Sequence, residues 1–301
     1  MRLRTGLRAL VALALLSGIG ATIAATTGAR PARVGHNQAW ESVSIDCRSP
    51  ALGGKLPAQV YLPPHWGAGG RRYRVLYFLH GLPADPGSYK RTGFVAQQLA
   101  AADLQAIVVT PQGARDQDSD REYLDWSRTE NWPRAISHDL TACIDRRYPT
   151  IRSRRGRALI GLSAGGYGAM NIGLRSLSTY AVIESWSGYF VATDPSGLHV
   201  LKLSSAKAQA AATVPSGNHL RQSLRRHPTL VAFYVGRSDS RFLTMNRVFD
   251  ATLTQHGVAH VFRTYPGGHQ LALWQGQAPA WLRMALTYLR TGWVIAPPPG
   301  S

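Results

Sequence analysis

The chain reads as an α/β protein with a mostly parallel eight-stranded sheet and helices on both faces. Three observations predict this. Beyond about Gln38, short β-branched and aromatic runs alternate with longer helix-like segments, the pattern of strands joined by crossover helices. The strongly apolar runs RVLYFL and RALIGL have strand length and strand composition. The second of them leads into GLSAGGYGAM at residues 161–170, where an apolar run gives way to a small-residue helical segment. With 301 residues and 45% hydrophobic content, the chain can build the core of one large α/β domain or two small ones.

The first segment stands apart from that globule. Arg2, Arg4 and Arg8 precede an uncharged stretch over 9–29 rich in Leu, Ala and Ile, and Arg30 follows. This reads as an export signal, with Ala24, Ala25 and Ala29 permitting cleavage. The stretch also has about the length of a membrane-spanning helix, so an uncleaved anchor is the alternative. Either reading places the protein outside the cytosol: secreted, in the cell envelope, or tethered to a membrane. A Pro- and Gly-containing linker over 30–40 leads to a domain expected over 41–293.

Within that domain the strands are expected at 42–46, 59–62, 74–79, 106–110, 158–162, 182–185, 230–235 and 260–265. Helices are expected at 91–102, 133–147, 165–175, 243–256 and 279–291. The second of these is amphipathic and stops before Pro149, and the last starts at Pro279. The polar, Ala/Ser/Gly-rich stretch 191–226 reads as a lid-like insertion or a surface excursion, in a place that shapes substrate pockets in this architecture. The tail, 294–301, is expected to be disordered with nothing to bury. No internal repeat is visible.

The formal net charge is +18, and nearly all of the positive charge is arginine, with Lys only at 55, 90, 202 and 207. Such a surface is either non-specifically basic or attracted to anionic cell-surface polymers and lipid headgroups. Nucleic-acid binding is excluded as a reading, because RRYR, RRYP, RSRRGR and LRRHP scatter the arginines rather than interleaving them with aromatics along one surface. The two cysteines, Cys47 and Cys143, fall in the exported part. They form either one disulfide or two buried thiols.

GLSAGGYGAM has the layout of a nucleophile elbow. A serine hydroxyl is a poor nucleophile, so an enzyme using one holds it on a sharp strand-to-helix turn, exposed and beside a base. Gly161, Gly165 and Gly166 supply the missing side chains that such a turn around Ser163 requires. A tight structural turn is the plainer alternative. A base and an orienting acid should then follow in the order Ser, Asp/Glu, His. His269, in YPGGHQLALW directly after the last strand, fits the base. His256 and His260 flank a helix-to-strand turn, while His199, His219 and His227 lie in the insertion. Asp239, in FYVGRSDSRF just past the seventh strand, fits the acid, and its alternative role is an N-cap for the next helix. Asp250 sits mid-helix, and Glu184 inside a strand would be an odd buried charge.

Acyl transfer also needs donors aimed at the developing oxyanion. Ala164 N–H, after the nucleophile, is one. The loop His80-Gly81-Leu82-Pro83 supplies the other at Leu82, since Pro83 has no N–H to give. His80 itself reads as structural rather than as a base. The sequence has no H-E-x-x-H, no clustered Cys/His set and no phosphate loop ending in Lys-Ser/Thr, so neither metal nor nucleotide cofactor is implied.

With these residues assembled, the chain resembles the esterase branch of the α/β-hydrolases, the group of esterase D, feruloyl esterases and the secreted trehalose mycolyltransferases. The resemblance covers about 42–291 and rests on HGLPADP, on DLTACIDRRYPT with RALIGLSAGGYGAM, on SWSGYF, on Asp239 after a Gly turn and on GGHQLALW. It implies an α/β-hydrolase fold, Ser163, Asp239 and His269 as a triad, and Leu82 with Ala164 as the oxyanion pair. Trp274 matches an aromatic usual at that position, packed behind the histidine loop. Mycolyltransferases carry an arginine after the oxyanion-loop leucine, where this chain has Pro83, and His-Ser-Trp where it has His269-Gln270-Leu271. Those departures point away from a trehalose or mycolyl substrate. They favour a serine esterase acting on a small-molecule or envelope ester, with acyl transfer to a carbohydrate or lipid hydroxyl as the alternative, and a non-catalytic envelope-binding protein as a third reading.

Overall fold

The computed structural model describes residues 39–113, 122–194 and 199–300. The expected export segment or anchor at 1–29, and the linker as far as residue 38, lie outside the described residues. Eight strands form one sheet in the order β1-β2-β4-β3-β5-β6-β7-β8. They are β1 Glu41–Ser49, β2 Gly54–Leu62, β3 Val75–Leu79, β4 Ile107–Pro111, β5 Arg157–Leu162, β6 Val182–Trp186, β7 Leu230–Gly236 and β8 Val261–Tyr265. β1 and β2 form an antiparallel pair, and β2 meets β4 antiparallel. Every pairing from β4 through β3 to β8 is parallel.

Side chains alternate across a strand, so a sheet covered on both faces needs apolar residues at every position. β3 and β7 meet that demand. Val75, Tyr77 and Leu79, with Val231, Phe233 and Val235, enter the core beneath α4 (Ala164–Gly173) and α7 (Leu243–Gln255). Leu76 and Phe78, with Ala232 and Tyr234, enter the opposite core beneath α1 (Phe94–Ala101) and α8 (Leu271–Thr291). Because β5, β7 and β8 are parallel, their C-terminal ends emerge at one edge of the sheet, the place where open α/β sheets put their ligands.

The expected helix at 133–147 is broken into α2 (Trp132–Arg134), a π-helical stretch Ala135–Leu140 and α3 (Thr141–Arg147). Asn131 Oδ1 caps its start by accepting from Arg134 N–H at 2.8 Å. Within the widened turn, Asp139 Oδ2 accepts from Ser49 Oγ at 2.8 Å and from Ala51 N–H at 3.1 Å, tying this segment to β1. A covalent tie lies next to it, for Cys47 in β1 and Cys143 in α3 are joined as a disulfide across 96 residues. A loop of that length makes the cross-link worth about 4.7 kcal/mol by the chain-entropy relation. Denaturant unfolding of the Cys47→Ala/Cys143→Ala double variant is expected to show a loss of that order. A loss well under 1 kcal/mol would contradict the loop-closure account.

Two expectations are corrected, those for the last helix and the tail, and the insertion gains detail. The last helix begins at Leu271, not Pro279, and carries Pro279 inside it. An interior proline removes one helical hydrogen bond and costs about 3 kcal/mol. Leu273, Trp274, Ala278, Trp281 and Leu282 lie buried on both sides of it, and that burial keeps the helix continuous. The insertion holds two helices that its composition did not announce, α5 (Ala206–Ala211) and α6 (Asn218–Arg226). Ser205 Oγ caps α5 by accepting from Ala208 N–H at 3.1 Å. Arg175 of the α4 C-terminal turn donates to the carbonyls of Ala210 at 3.0 Å and Thr213 at 2.8 Å, fastening the end of α5 to the body of the domain. Finally, the described part of the tail is not free. Arg263 Nε donates to Pro297 O at 3.1 Å, Tyr265 Oη to Pro298 O at 3.2 Å, and Pro297 is buried. The prolines cannot donate to a ladder. Side chains of edge strand β8 therefore make the contacts instead.

Candidate active site

Ser163 stands between the end of β5 and the start of α4 with φ 54° and ψ −123°, a left-handed conformation unusual for a residue with a side chain. The turn is held by close backbone approach. A Cβ on Gly161 would lie 2.1 Å from Gly165 O, and one on Gly165 would lie 2.1 Å from Leu79 O, so neither position admits a side chain. A Cβ on Gly166 would meet Ser185 Oγ at 2.6 Å. Ser163 N–H donates to Trp186 O at 2.9 Å, which locks the turn to the end of β6. Strain at one serine is thus held by over-determined neighbours, as such sites require.

His269 and Asp239 reach Ser163 from the loops after β8 and β7. Ser163 Oγ lies 2.9 Å from His269 Nε2, and His269 Nδ1 lies 2.8 Å from Asp239 Oδ2. Asp239 is buried, and its other oxygen, Oδ1, accepts from the N–H groups of Arg241 and Phe242, both at 3.2 Å. With the carboxylate as acceptor, Nδ1 carries the imidazole proton and Nε2 presents a lone pair to the serine hydroxyl. The imidazole is boxed edge-on by Phe242 and Trp274, with ring centroids 5.2 and 5.0 Å away. Trp274 Nε1 donates to Ser187 Oγ at 3.1 Å, so this ring is fixed from the end of β6 while it packs behind the histidine. Since α8 begins two residues after His269, the early helix start is what brings Trp274 to that place.

The loop after β3 lies against Ser163. A Cβ on Gly81 would come within 3.0 Å of Ser163 Cβ, and Leu82 is the next residue along this loop. Ala164 opens α4, so its N–H belongs to the helix-opening amides without an intrahelical acceptor. His80 is buried, and both its nitrogens are occupied by backbone. Nδ1 donates to Gly81 O at 2.9 Å, and Nε2 accepts from Gly113 N–H at 2.8 Å. Burial pushes its pKa down to about 4, so it stays neutral and holds this loop. His199 and His219 stay in the insertion, His227 follows the end of α6, and His260 pairs with Asp250 at 2.8 Å beside the start of β8.

Sequence reasoning missed Glu122. Tyr189 Oη donates to Glu122 Oε1 at 2.5 Å, and burial raises this carboxyl to about 7. Tyr189 stacks on Tyr167 of α4 and packs against Phe242, the ring that touches His269. In the sequence Glu122 ends the charged run RDQDSDRE and looks like any solvated loop acid. Among the described residues there is no group of three or more His, Cys, Asp or Glu side chains arranged to hold a metal, and no helix long and apolar enough to cross a membrane.

The sequence model of the Esterase family ("Putative esterase") matches residues 49–284. Esterase Rv1288 of Mycobacterium tuberculosis is 24% identical over 244 residues, covering 73% of this chain and 53% of that protein. The chain therefore spans about half the length of the curated relatives it matches. Among solved structures, a ferulic acid esterase superposes with a TM-score of 0.68 at 21% identity, over 84% of this chain and 98% of the other. An S-formylglutathione hydrolase from Agrobacterium tumefaciens superposes with a TM-score of 0.68 at 17% identity, over 84% and 97%. At those identities the structures speak to the fold, while the family match spans well over half the chain: the protein belongs to the Esterase family, built on the α/β-hydrolase fold.

Proposed function

We propose that this esterase-family enzyme is an exported serine esterase that cleaves carboxylic esters through an acyl-enzyme on Ser163. The observation that carries the reading is the single hydrogen-bonded line from Ser163 Oγ through His269 to the buried Asp239. In the first step Ser163 Oγ attacks the ester carbonyl while His269 Nε2 takes the hydroxyl proton. Asp239 keeps the imidazole in the right tautomer and stabilises the imidazolium without taking a proton itself. The N–H groups of Leu82 and Ala164 receive the developing oxyanion, a contribution of roughly 3 to 4 kcal/mol per donor. The tetrahedral intermediate collapses as His269 returns its proton to the departing alkoxide. Water, activated by the same Nε2, then releases the acid. The arginine-rich opening and the apolar stretch over 9–29 support export.

Supporting this reading over a bare structural scaffold is the contact of Ser163, His269 and Asp239 at the edge where parallel strands end, with the loop that carries Leu82 packed against Ser163 through Gly81. The structural neighbours, a ferulic acid esterase and an S-formylglutathione hydrolase, bracket an oxygen ester and a thioester. Turnover of p-nitrophenyl esters across acyl chain lengths tests the proposal, with carbohydrate and glycerol acceptors in excess in a parallel set. Release of free acid is the expected product. Transfer to an acceptor in preference to water would make the enzyme an acyltransferase, and no turnover of any ester would refute the reading.

A further inference from the structure

At the sheet edge opposite Ser163 there is a cavity that ester cleavage does not use. It has a volume of about 570 Å³ and lies where β7 and β8 begin, at Leu230 and Val261. That volume falls within the ~300–1,000 Å³ of small-molecule pockets. Its walls are largely aliphatic, with Leu224, Leu230, Val231, Val258, Val261 and Val294 among them. Asp239 follows the far end of β7, a strand of seven residues. At about 3.3 Å per residue the two places are therefore separated by roughly 20 Å of strand.

Two arginines stand at this apolar space. Arg221 and Arg225 of α6 line it together with Leu224, the spacing that sets three residues on one helix face. Arg221 Nε is buried without a hydrogen-bond partner, and neither guanidinium is hydrogen-bonded or ion-paired among the described residues. Complementing the α6 dipole accounts for Arg225 in the last turn, but not for Arg221 a turn earlier. A third guanidinium, Arg154, braces the same wall by donating to Pro228 O at 3.0 Å and Thr229 Oγ1 at 2.7 Å. His260, which also lines the cavity, is engaged by Asp250 at 2.8 Å.

The rim is apolar too. Trp293, Val294 and Ile295, consecutive in the chain after α8, are 76%, 46% and 67% exposed, and Val294 lines the cavity. Exposed tryptophan beside aliphatic residues and cationic side chains is the composition of a surface that rests at a membrane–water boundary. The net charge of +18 gives the whole molecule the sign for an anionic surface.

We propose that this basal cavity takes the acyl chain of an anionic membrane lipid, with the headgroup phosphate held by Arg221 and Arg225, and so seats the enzyme on a lipid surface with its Ser163 edge facing away. The test is calorimetric titration of the full chain with dodecyl phosphate below its micelle-forming concentration, alongside dodecyl maltoside and inorganic phosphate. Dodecyl phosphate is expected to bind at one site and the other two weakly or not at all. Arg221→Glu/Arg225→Glu should weaken it by about tenfold or more. Ala259→Trp, at an exposed position lining the cavity, should block it. Both variants should keep wild-type ester turnover, which also reports that they fold. Dodecyl phosphate binding that is absent, or untouched by both variants, would overturn the proposal. So would equal affinity for the neutral maltoside, and inorganic phosphate matching dodecyl phosphate would reduce the site to a simple anion site and overturn the acyl-chain assignment.

Discussion

Asp239→Asn is expected to lower kcat toward esters by about 10⁴-fold while leaving KM and thermal stability nearly unchanged. Asn and Asp are nearly isosteric, and either side-chain oxygen accepts from backbone N–H groups two and three residues on. The oxygen of the amide can go on accepting from the N–H groups of Arg241 and Phe242, as Asp239 Oδ1 does. The amide nitrogen then faces His269 Nδ1, where the carboxylate oxygen stood at 2.8 Å. Two donors cannot share that line, so the imidazole moves its proton to Nε2. Ser163 then meets an N–H instead of a lone pair, and the hydroxyl has nowhere to send its proton. If Asp239 served only to hold the turn before α7, the substitution would leave kcat where it was. Steady-state kinetics with a p-nitrophenyl ester, read beside a melting curve, separates the two roles.

The second large effect concerns stability and pH. Glu184, in β6 at the middle of the sheet, is fully buried; Oε2 accepts from Trp186 Nε1 at 3.0 Å and Oε1 has no partner. Burial raises its pKa from 4.5 to about 8. Above pH 4.5 the unfolded chain ionises this group while the folded protein keeps the proton, so the unfolded state binds fewer protons. Stability then falls as pH rises from about 4.5 to about 8, by an amount on the order of several kcal/mol. Glu122, raised to about 7 by burial, acts with the same sign over a narrower window. Glu184→Gln removes the first contribution, because the amide does not ionise over this range. Denaturation midpoints between pH 5 and 8.5 should fall steeply for the wild type and more gently for the variant. The difference should be clearest above about 7, where Glu122 no longer contributes. Parallel profiles would show that Glu184 does not carry the effect.

What the sequence made legible follows from where the physics is local. The parallel strands β3, β5 and β7 are buried on both faces, so their apolar runs stand out against every neighbouring segment. Ser163, Asp239 and His269 each sit on a short loop directly after a strand, and glycine beside each marks the turn, so chain order alone suggested that they meet. The rest depended on distant partners. Pro279 signals a helix start, and only the burial of Leu273 and Trp274 upstream of it carries the helix back to Leu271. The ordering of α5 comes from Arg175 and its bonds to carbonyls 35 and more residues away, which composition cannot express. Glu122 needs Tyr189, 67 residues on, to become a buried acid rather than a solvated one. The tail is held by side chains of β8, an edge strand whose outer side no local pattern reveals.

Mass spectrometry of an acid-quenched reaction with a slowly deacylating p-nitrophenyl ester puts the central claim to its most direct trial. The account expects one acyl adduct per chain, mapped by peptide sequencing to GLSAGGYGAM at Ser163, absent in Ser163→Ala and absent when a fluorophosphonate has reacted first. An adduct on any other side chain, or turnover that persists in Ser163→Ala with no covalent intermediate, would contradict it.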